Sequence, residues 1–491
     1  MTFRQFLILA TVQLVTLLFG MTITIANVVL PQIKGSLSAT QDQIAWVITF
    51  NLLATAVVTP MTGWLAERFG WRRLMLGAVI GFTISSALCG LADGLLALVL
   101  YRIGQGLFGA PLMPLGQAIL LASFPKRQHA LVIMLWGIGA VVGPVIGPVL
   151  GGEVAEALNW RWAFFIIVPF GLLALMGAHV ALVKQDRAAE TRLDWTGFLA
   201  LAIAIGAAQL MLDRGQRQDW FESTEIVIEA AVAVVAFYLF VVHSLSHARP
   251  FLDPRLLLDR NFALGLVFVF VMGMLSFIPL VLFPPLLQEL RSYPDSLVGT
   301  LLAARGIGNW VSFLVVVQLT RYNAKLALGS GLFLQAVAGW AMAQLDINLT
   351  SFDVFWTNLL QGIGFGLAYT PMTVLAFATL APDRVTQGTA IFHMLRNFGS
   401  SLFISVTIVV WAQSRAMSYA NLREHASPIN EALGYAEIAG AWSIGTTSGL
   451  TTLSNEILRQ ASMIGYINAF YLFAIVAGIA APFVLLLRNP E

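Results

Sequence analysis

Long apolar segments follow one another along almost the whole of this sequence. A helix that crosses a bilayer needs about 20 mostly apolar residues, and about fourteen such segments lie between charged or turn-rich breaks. Their approximate limits are 6–30, 44–66, 74–93, 96–121, 130–152, 162–183, 196–213, 226–246, 261–285, 297–319, 325–345, 353–378, 385–412 and 463–487. Because backbone polar groups in lipid must bond within their own segment, we expect an all-α membrane protein.

The composition agrees with lipid as the solvent of this chain. Of its 491 residues, 58% are hydrophobic and 11% are charged, whereas soluble proteins have about 25% charged residues. This argues against a soluble enzyme and a disordered protein, and a net charge of +2 gives no basic surface for nucleic acid. The single cysteine, Cys89, lies in an apolar run, and we interpret it as a small lipid-buried hydrophobic residue.

Basic residues in the short loops predict the orientation of the chain. Fourteen helices place both termini on one side. If that side is cytoplasmic, only a few basic loop residues lie outside, namely Lys34, Arg161, Arg214, Arg217 and Arg291. We therefore expect a multi-pass protein with both termini in the cytoplasm. The first apolar run exceeds the 7–15 residues of a signal-peptide core, so we interpret it as an uncleaved helix.

Two pairs of loops indicate an internal repeat. The segment 64–74 after helix 2 is similar to 318–326 after helix 10, and 124–127 is similar to 381–384. Two parallel six-helix halves explain both matches and leave helices 7 and 8 as an inserted pair. We expect one bundle over 1–190, the pair over 191–255 and a second bundle over 256–491.

The longest break between apolar runs, at about 413–462, is predicted to lie outside the membrane on the periplasmic side. Within it, 430–442 and 454–462 are predicted to form amphipathic helices on the membrane surface. Two interpretations remain open at this point: a covering loop without a partner, and a docking element for a periplasmic protein.

The loop between helices 2 and 3 carries the most specific motif. A glycine, an acidic residue with an arginine, a second glycine and two further arginines follow in order: Gly63, Glu67, Arg68, Gly70, Arg72 and Arg73. This pattern resembles the loop motif of the major facilitator superfamily, with glutamate where aspartate is commoner. Gly63 would allow close helix approach, and Glu67 would change partners between conformations. The alternative is a basic anchor on the cytoplasmic side.

Three arginines are predicted to lie within the membrane: Arg102, Arg305 and Arg396. The run 102–110 resembles a second motif of the same superfamily. A charge at membrane depth costs about 2.5–3.5 kcal/mol or more, so such a residue should face protein or water. Snorkelling of Arg102 to the surface is the alternative. Arg305 is predicted to attract an anionic substrate or a backbone carbonyl.

Helix 5 contains glycines at a spacing of four, with interleaved prolines. The residues are Gly139, Gly143, Pro144, Gly147, Pro148, Gly151 and Gly152. The four glycines at positions 139, 143, 147 and 151 lie on one face of the helix, which predicts a close helix partner. The stretch resembles the motif of the antiporter branch of the superfamily; a generic packing face is the alternative.

The resemblance extends over nearly the whole chain. Residues 24–31 are similar to the first-helix signature of fourteen-helix drug/proton antiporters, and 160–166 and 210–221 resemble the EmrB/QacA type. That type implies the major facilitator fold, two six-helix bundles plus two inserted helices, in the bacterial inner membrane. It also implies proton-coupled export of lipophilic toxic compounds by alternating access, with a periplasmic adaptor and an outer-membrane channel as partners and without a cofactor or metal.

Two alternatives stand beside multidrug export. One is a dedicated exporter of one metabolite class, such as fatty or aromatic acids. The other is a membrane enzyme, but the sequence shows no nucleophile–base pair, metal-ligand cluster or phosphate loop.

The proton site of this chain departs from the pattern of its relatives. Thr22 stands where many of them carry an aspartate, and threonine has no titratable group. The remaining candidates are His393, Asp42 and Glu153, with His393 favoured because histidine titrates near neutral pH. Each also has a structural interpretation. His393 would be a hydrogen-bonding residue of the core, Asp42 a helix cap and Glu153 a surface charge. The predicted lining of the substrate cavity is polar at Thr22, Asn27, Asn51, Gln105 and Gln117 and apolar at Trp46 and Phe50.

Overall fold

The computed structural model describes residues 2–183, 193–247, 250–426, 430, 442–443 and 445–488, apart from some side chains inside helices, among them those of Asn27, Asp42 and Pro148. The described part contains helices and no strands. We number the long helices α1 (Phe3–Ser36), α2 (Gln41–Val58, continued by Thr59–Met61 and Thr62–Phe69), α3 (Trp71–Gly90), α4 (Leu95–Gly109 and Leu112–Ser123), α5 (His129–Ala157), α6 (Trp162–Phe165 and Ile167–Ala181), α7 (Trp195–Arg214), α8 (Thr224–Ser246), α9 (Arg260–Ser276 and Ile278–Pro285), α10 (295–322), α11 (324–342), α12 (Ser351–Phe377), α13 (Val385–Glu424) and α14 (Thr447–Ala480).

The pair α10 and α11 is continuous in hydrogen bonding but crosses the membrane twice. Leu297–Met342 is a single 46-residue apolar stretch, one of thirteen candidate spans in the described residues. Asn323 interrupts it with φ −157° and ψ 101°. The Asn323 side chain accepts hydrogen bonds from the backbone N–H groups of Lys325 and Leu326, each at 3.1 Å. An N-cap residue starts a helix in this way, so a new helix begins after Asn323.

Contacts with α12 show that α10 and α11 run in opposite directions. Along α10, Arg305 lies against Gly362 and Ser312 against Gly366, so the two helices are parallel. Along α11, Gly331 lies against Ala368, whereas Gln335, one turn later, bonds to Gln361 earlier in α12. The described residues therefore contain fourteen helices that match the fourteen crossings predicted from hydropathy.

The break predicted at about 413–462 is much shorter in the structure. Helix α13 continues for 40 residues to Glu424, and α14 begins at Thr447, where the Thr446 hydroxyl accepts the N–H of Gly449. The prediction of a separate surface helix at 454–462 is wrong, because these residues belong to α14. A 40-residue helix is about 60 Å long, twice the hydrocarbon thickness of about 30 Å. Hydropathy marks only the buried part of such a helix. Most of 430–442 lies outside the described residues.

The inserted pair α7 and α8 lies beside both bundles. The hydroxyl of Thr49 on α2 donates a hydrogen bond to Asp213 on α7. On the other side, the Ser405 hydroxyl of α13 donates to the Leu212 carbonyl oxygen at 2.7 Å. Only 11% of the apolar window of α8 is buried, against 28% for that of α7. Helix α7 therefore contacts the protein, and α8 covers it on the lipid side.

A local arrangement in the first bundle recurs in the second. Helix α4 carries the dipeptide 105–106 and α12 carries 361–362, both Gln-Gly. Gly106 packs on the carbonyl of Asn51 in α2, and Gly362 packs on the carbonyl of Arg305 in α10. Gln105 then reaches α3 and Gln361 reaches α11. Helices α2–α4 and α10–α12 thus use the same contacts.

Candidate transport pathway between the two bundles

Arg102 is held inside the first bundle. Its side chain is 1% exposed. The Nε–H donates to the Val47 carbonyl oxygen at 3.1 Å, the guanidinium also bonds to Gln105, and its carbon lies 5.9 Å from the centroid of the Phe164 ring. The snorkelling interpretation is therefore wrong for this conformation: the charge is satisfied by protein groups rather than by the interface.

Two predicted cavity residues belong to the same network. The Asn51 amide donates to the Arg102 carbonyl oxygen at 2.8 Å, and the Gln105 amide donates to the Ser86 hydroxyl at 2.7 Å. All are buried, so α2, α3 and α4 are joined by polar bonds inside the first bundle. Ser86 was not predicted, because a lone serine in an apolar helix carries no pattern.

His393 on α13 and Gln117 on α4 meet across the interface between the bundles. The Nε2 of His393 hydrogen-bonds to Oε1 of Gln117. Since an amide oxygen only accepts, Nε2 carries the proton, as assigned from this network. Within the described residues, neither Nδ1 of His393 nor Nε2 of Gln117 has a partner. A buried imidazole with one open nitrogen can take up a proton without losing its existing bond.

Aromatic side chains extend from His393 to Trp136 on α5 of the first bundle and then to α12 of the second bundle. The Trp136 ring meets His393 edge-on at 5.8 Å, Tyr369 lies 6.4 Å from Trp136, and Phe365 stacks on Tyr369 at 5.5 Å. We call Trp136, Tyr369 and Phe365 the aromatic row. It ends at Arg305, whose guanidinium carbon lies 5.2 Å from the Phe365 centroid.

Two arginines beside this row keep open donors. Arg305 is 5% exposed, and its Nε has no partner among the described residues. Arg396 follows His393 by one helical turn; it bonds to Asn397 at 3.3 Å, and its Nε is likewise unpartnered there. The interface thus combines aromatic surface with cationic donors.

The glycine face of α5 packs against α1. Each of its four glycines approaches α1 so closely that a Cβ atom would meet a neighbour at 3.0 Å or less. The pairs are Gly139 with Gln13, Gly143 with Leu17, Gly147 with Thr24 and Gly151 with Ile25. Pro144 in turn packs on Gly20, and Gly152 lies further off, near Val28. The close partner predicted for this face is therefore α1.

The predicted loop between helices 2 and 3 is almost entirely helical, because α2 continues to Phe69 and α3 begins at Trp71, and the last turns of α2 touch the opposite bundle. A Cβ atom at Gly63 would lie 3.1 Å from the Cα of Gln387 on α13. Nearby, the Lys126 ammonium donates to the Ala378 carbonyl oxygen at 3.1 Å. The two bundles are therefore in contact at the end that carries the basic loops.

The charged residues of this motif form no ion pair with one another in the described part of the chain. Glu67, Arg68 and Arg73 are exposed, and Glu67 has no ion pair in the described part of the chain. Arg72 bonds to the His179 carbonyl oxygen at 3.1 Å, and Gly70 ends the preceding helix with φ 78°. If Glu67 exchanges partners during transport, its partner belongs to another conformation.

A sequence profile described as Major Facilitator Superfamily matches residues 12–404. The chain belongs to the major facilitator superfamily. It is 32% identical over 458 residues to "Multidrug export protein EmrB" of Escherichia coli strain K12, covering 89% of each chain. It is 33% identical over 485 residues to "Fatty acid resistance protein FarB" of Neisseria gonorrhoeae, covering 95% of this chain and 93% of the relative.

More distant relatives and solved structures agree with this assignment. "Colistin resistance protein EmrB" of Acinetobacter baumannii is 26% identical over 470 residues, covering 90% of each chain. The structure of the human organic anion transporter TETRAN has a TM-score of 0.64 at 12% identity, covering 98% of this chain and 99% of that one. The proton:xylose symporter XylE has a TM-score of 0.61 at 13% identity, covering 98% and 95%. These likenesses confirm the major facilitator fold, so the chain is a multi-pass membrane transporter.

Several residues predicted for the pathway of this major facilitator lie away from the aromatic row. The Thr22 hydroxyl is buried and donates to the Leu18 carbonyl oxygen of its own helix at 2.8 Å. Trp46 is 46% exposed, Phe50 is half-buried, and Glu153 is exposed near the end of α5. The side chains of Asn27 and Asp42 lie outside the described residues. Among the predicted cavity and proton residues, Gln117 and His393 are brought together across the bundles.

Proposed function

We propose that the chain is a proton-coupled exporter of several lipophilic toxic compounds across the bacterial inner membrane by alternating access. The observation that carries this proposal is the aromatic row between the bundles. Aromatic faces contribute large contact area without requiring one hydrogen-bond pattern, so they suit substrates of different shape. The full-length similarity to proteins named for multidrug export supports the same function.

His393 is the proposed proton carrier. In the closed interface its Nε2–H bonds to Gln117, and Nδ1 is open. A protonated imidazole has two N–H donors, and the second needs an acceptor that the closed interface does not supply. An unsatisfied buried donor costs about 1–3 kcal/mol. Proton uptake at Nδ1 therefore favours separation of α4 from α13, and proton release favours their contact.

A growth-inhibition panel in a pump-deficient host tests the function. Expression of the chain should protect against several unrelated lipophilic compounds, and a protonophore should abolish efflux. Protection against a single compound class, or efflux that persists without a proton gradient, would contradict the proposal.

A dedicated exporter of fatty or aromatic acids is the second candidate. The open Nε donors of Arg305 and Arg396 favour it, because a carboxylate is their natural acceptor. FarB, named for fatty acid resistance, is a relative of similar identity. In the same panel, this alternative predicts protection against long-chain or aromatic acids only. It also predicts that Arg305→Gln loses this protection.

We further propose that both termini are cytoplasmic and that an adaptor and an outer-membrane channel complete the pump. The basic loops support the orientation. Helices α13 and α14 extend beyond the bilayer thickness at the opposite end and so provide a surface for an adaptor. Co-purification of a periplasmic adaptor with the full chain, lost when 413–424 and 447–457 are shortened together, tests the partnership.

A further inference from the structure

Three side chains with metal-binding atoms meet at the base of the inserted pair. Asp194 precedes α7, His243 lies in the last turn of α8, and His247 follows that helix. Their ligand atoms lie within 4.8 Å of one another. The His243 Nε2 is 2.9 and 3.0 Å from the two Asp194 oxygens, and the His243 and His247 rings stack at 4.9 Å between centroids.

The carboxylate of Asp194 is held in place by the backbone. One oxygen accepts the N–H of Gly197 at 3.0 Å, and the other accepts the N–H of Phe251 at 3.1 Å. The carboxylate is thus held in one orientation, and its side chain is only 6% exposed.

We infer that Asp194, His243 and His247 form a binding site for a divalent transition metal of the Zn²⁺ type. Two imidazole nitrogens and one carboxylate oxygen are a donor set that suits zinc and its neighbours, whereas Mg²⁺ and Ca²⁺ require oxygen ligands. Three protein ligands leave a fourth position for water. The backbone N–H groups of Gly197 and Phe251 hydrogen-bond to the ligating carboxylate and fix its orientation.

The spacing requires a small adjustment. Tetrahedral ligands at about 2.0 Å from zinc lie roughly 3.3 Å apart, so the widest separation must shrink by roughly 1.5 Å. His247 can make this movement because it is exposed and lies beyond the end of α8. His243 and Asp194 are already at ligand–ligand distance. The metal would replace the hydrogen bond between Nε2 of His243 and Asp194, with the ring proton carried on Nδ1.

Metal binding would join three parts of the chain. Asp194 begins α7, the histidines end α8, and Phe251 lies in the segment that leads to α9. None of the three residues belongs to the aromatic row or bonds to His393 in the described part of the chain, so the occupancy of the site can be measured without a transport assay. A failure of the metal-binding test would therefore leave the proposed export function untouched, and a failure of the export test would leave the metal site untouched.

Calorimetric titration of the full-length, tag-free protein in detergent with Zn²⁺ tests the inference. We expect one saturable site per chain and a higher unfolding midpoint with Zn²⁺. His247→Gln and His243→Gln should each weaken binding about tenfold or more and remove the thermal shift. His425→Gln is the matched control, since His425 is an exposed histidine near the end of α13 and far along the chain from the trio.

The absence of a saturable Zn²⁺ site would overturn the inference. Equal binding by the unaltered protein and His247→Gln would do the same, since His247 is exposed and takes no part in the Asp194–His243 bond. Mg²⁺ in place of Zn²⁺ should give no saturable heat; a Mg²⁺ affinity equal to that of Zn²⁺ would also contradict the proposed ligand set.

Discussion

His393 and Gln117 are 276 residues apart in the chain and share a hydrogen bond between the two bundles. Both side chains are buried, and each keeps a second polar atom unpartnered among the described residues. The contact is therefore a polar junction that can be broken and remade, unlike the fully satisfied network around Arg102. In the proposed mechanism, this is the part of the interface where proton uptake is coupled to separation of the bundles.

Replacement of His393 should separate transport from proton movement. In His393→Gln, substrate-induced proton release from purified transporter in detergent should be lost, because glutamine can bond to Gln117 without titrating. His425→Gln, Asp42→Asn and Glu153→Gln should retain release. Unchanged release in His393→Gln would show that the histidine is structural. Release in all variants would place the carrier at another residue.

Gly143→Leu should abolish export. A side chain at this position would meet the backbone of Leu17 and Gly20, and overpacking costs about 1–3 kcal/mol. Gly137→Leu on the same helix is the matched control, since no atom lies within 4 Å of a Cβ at Gly137. Efflux should be compared at equal membrane expression. Equal activity of the two variants would disprove the packing argument.

Arg102→Met should lower the stability of the first bundle. The substitution keeps much of the volume but leaves the Val47 carbonyl and Gln105 without their donor. Each buried unsatisfied group costs about 1–3 kcal/mol, so the unfolding midpoint in detergent should fall. Arg73→Met, at an exposed position, should leave it unchanged. A stable Arg102→Met protein would mean that the network contributes little.

Glu67→Ala and Arg68→Ala should slow transport several-fold while leaving substrate affinity nearly unchanged. Both side chains are exposed and distant in sequence from the aromatic row, so they act on the conformational equilibrium. Efflux rate and equilibrium binding should be measured on the same preparations. Normal efflux in both variants would exclude this role, and a parallel loss of binding would indicate a wider structural defect.

Cysteine labelling on intact cells should show the orientation. The native Cys89 is buried and gives little background. A membrane-impermeant maleimide should label Thr451→Cys and leave Arg127→Cys unlabelled until the membrane is permeabilised, because both positions are exposed on opposite ends of the helices. The reverse pattern would place the termini in the periplasm.

Hydropathy predicts the crossings of this chain well, because burial in lipid requires long apolar segments. It even separates α10 from α11, although their hydrogen bonding continues through Asn323. It fails at 413–462, where helices extend into water and the apolar pattern ends before the helix does.

The site was only partly predictable. His393 and Gln117 were both candidates, but for different roles, since no local pattern reveals a contact between helices α4 and α13. The aromatic row was missed because single aromatic residues in apolar helices look alike in sequence. Asp194 and His243 are likewise 49 residues apart, and only folding brings them together.

The seam between α1 and α5 is built from backbone, with Gly143 and Gly147 against the carbonyls of Leu17 and Met21. Its spacing is consequently independent of the side chains that the same helices present elsewhere. Mutations on those other faces can therefore change which compounds are accepted while the distance between α1 and α5 stays the same.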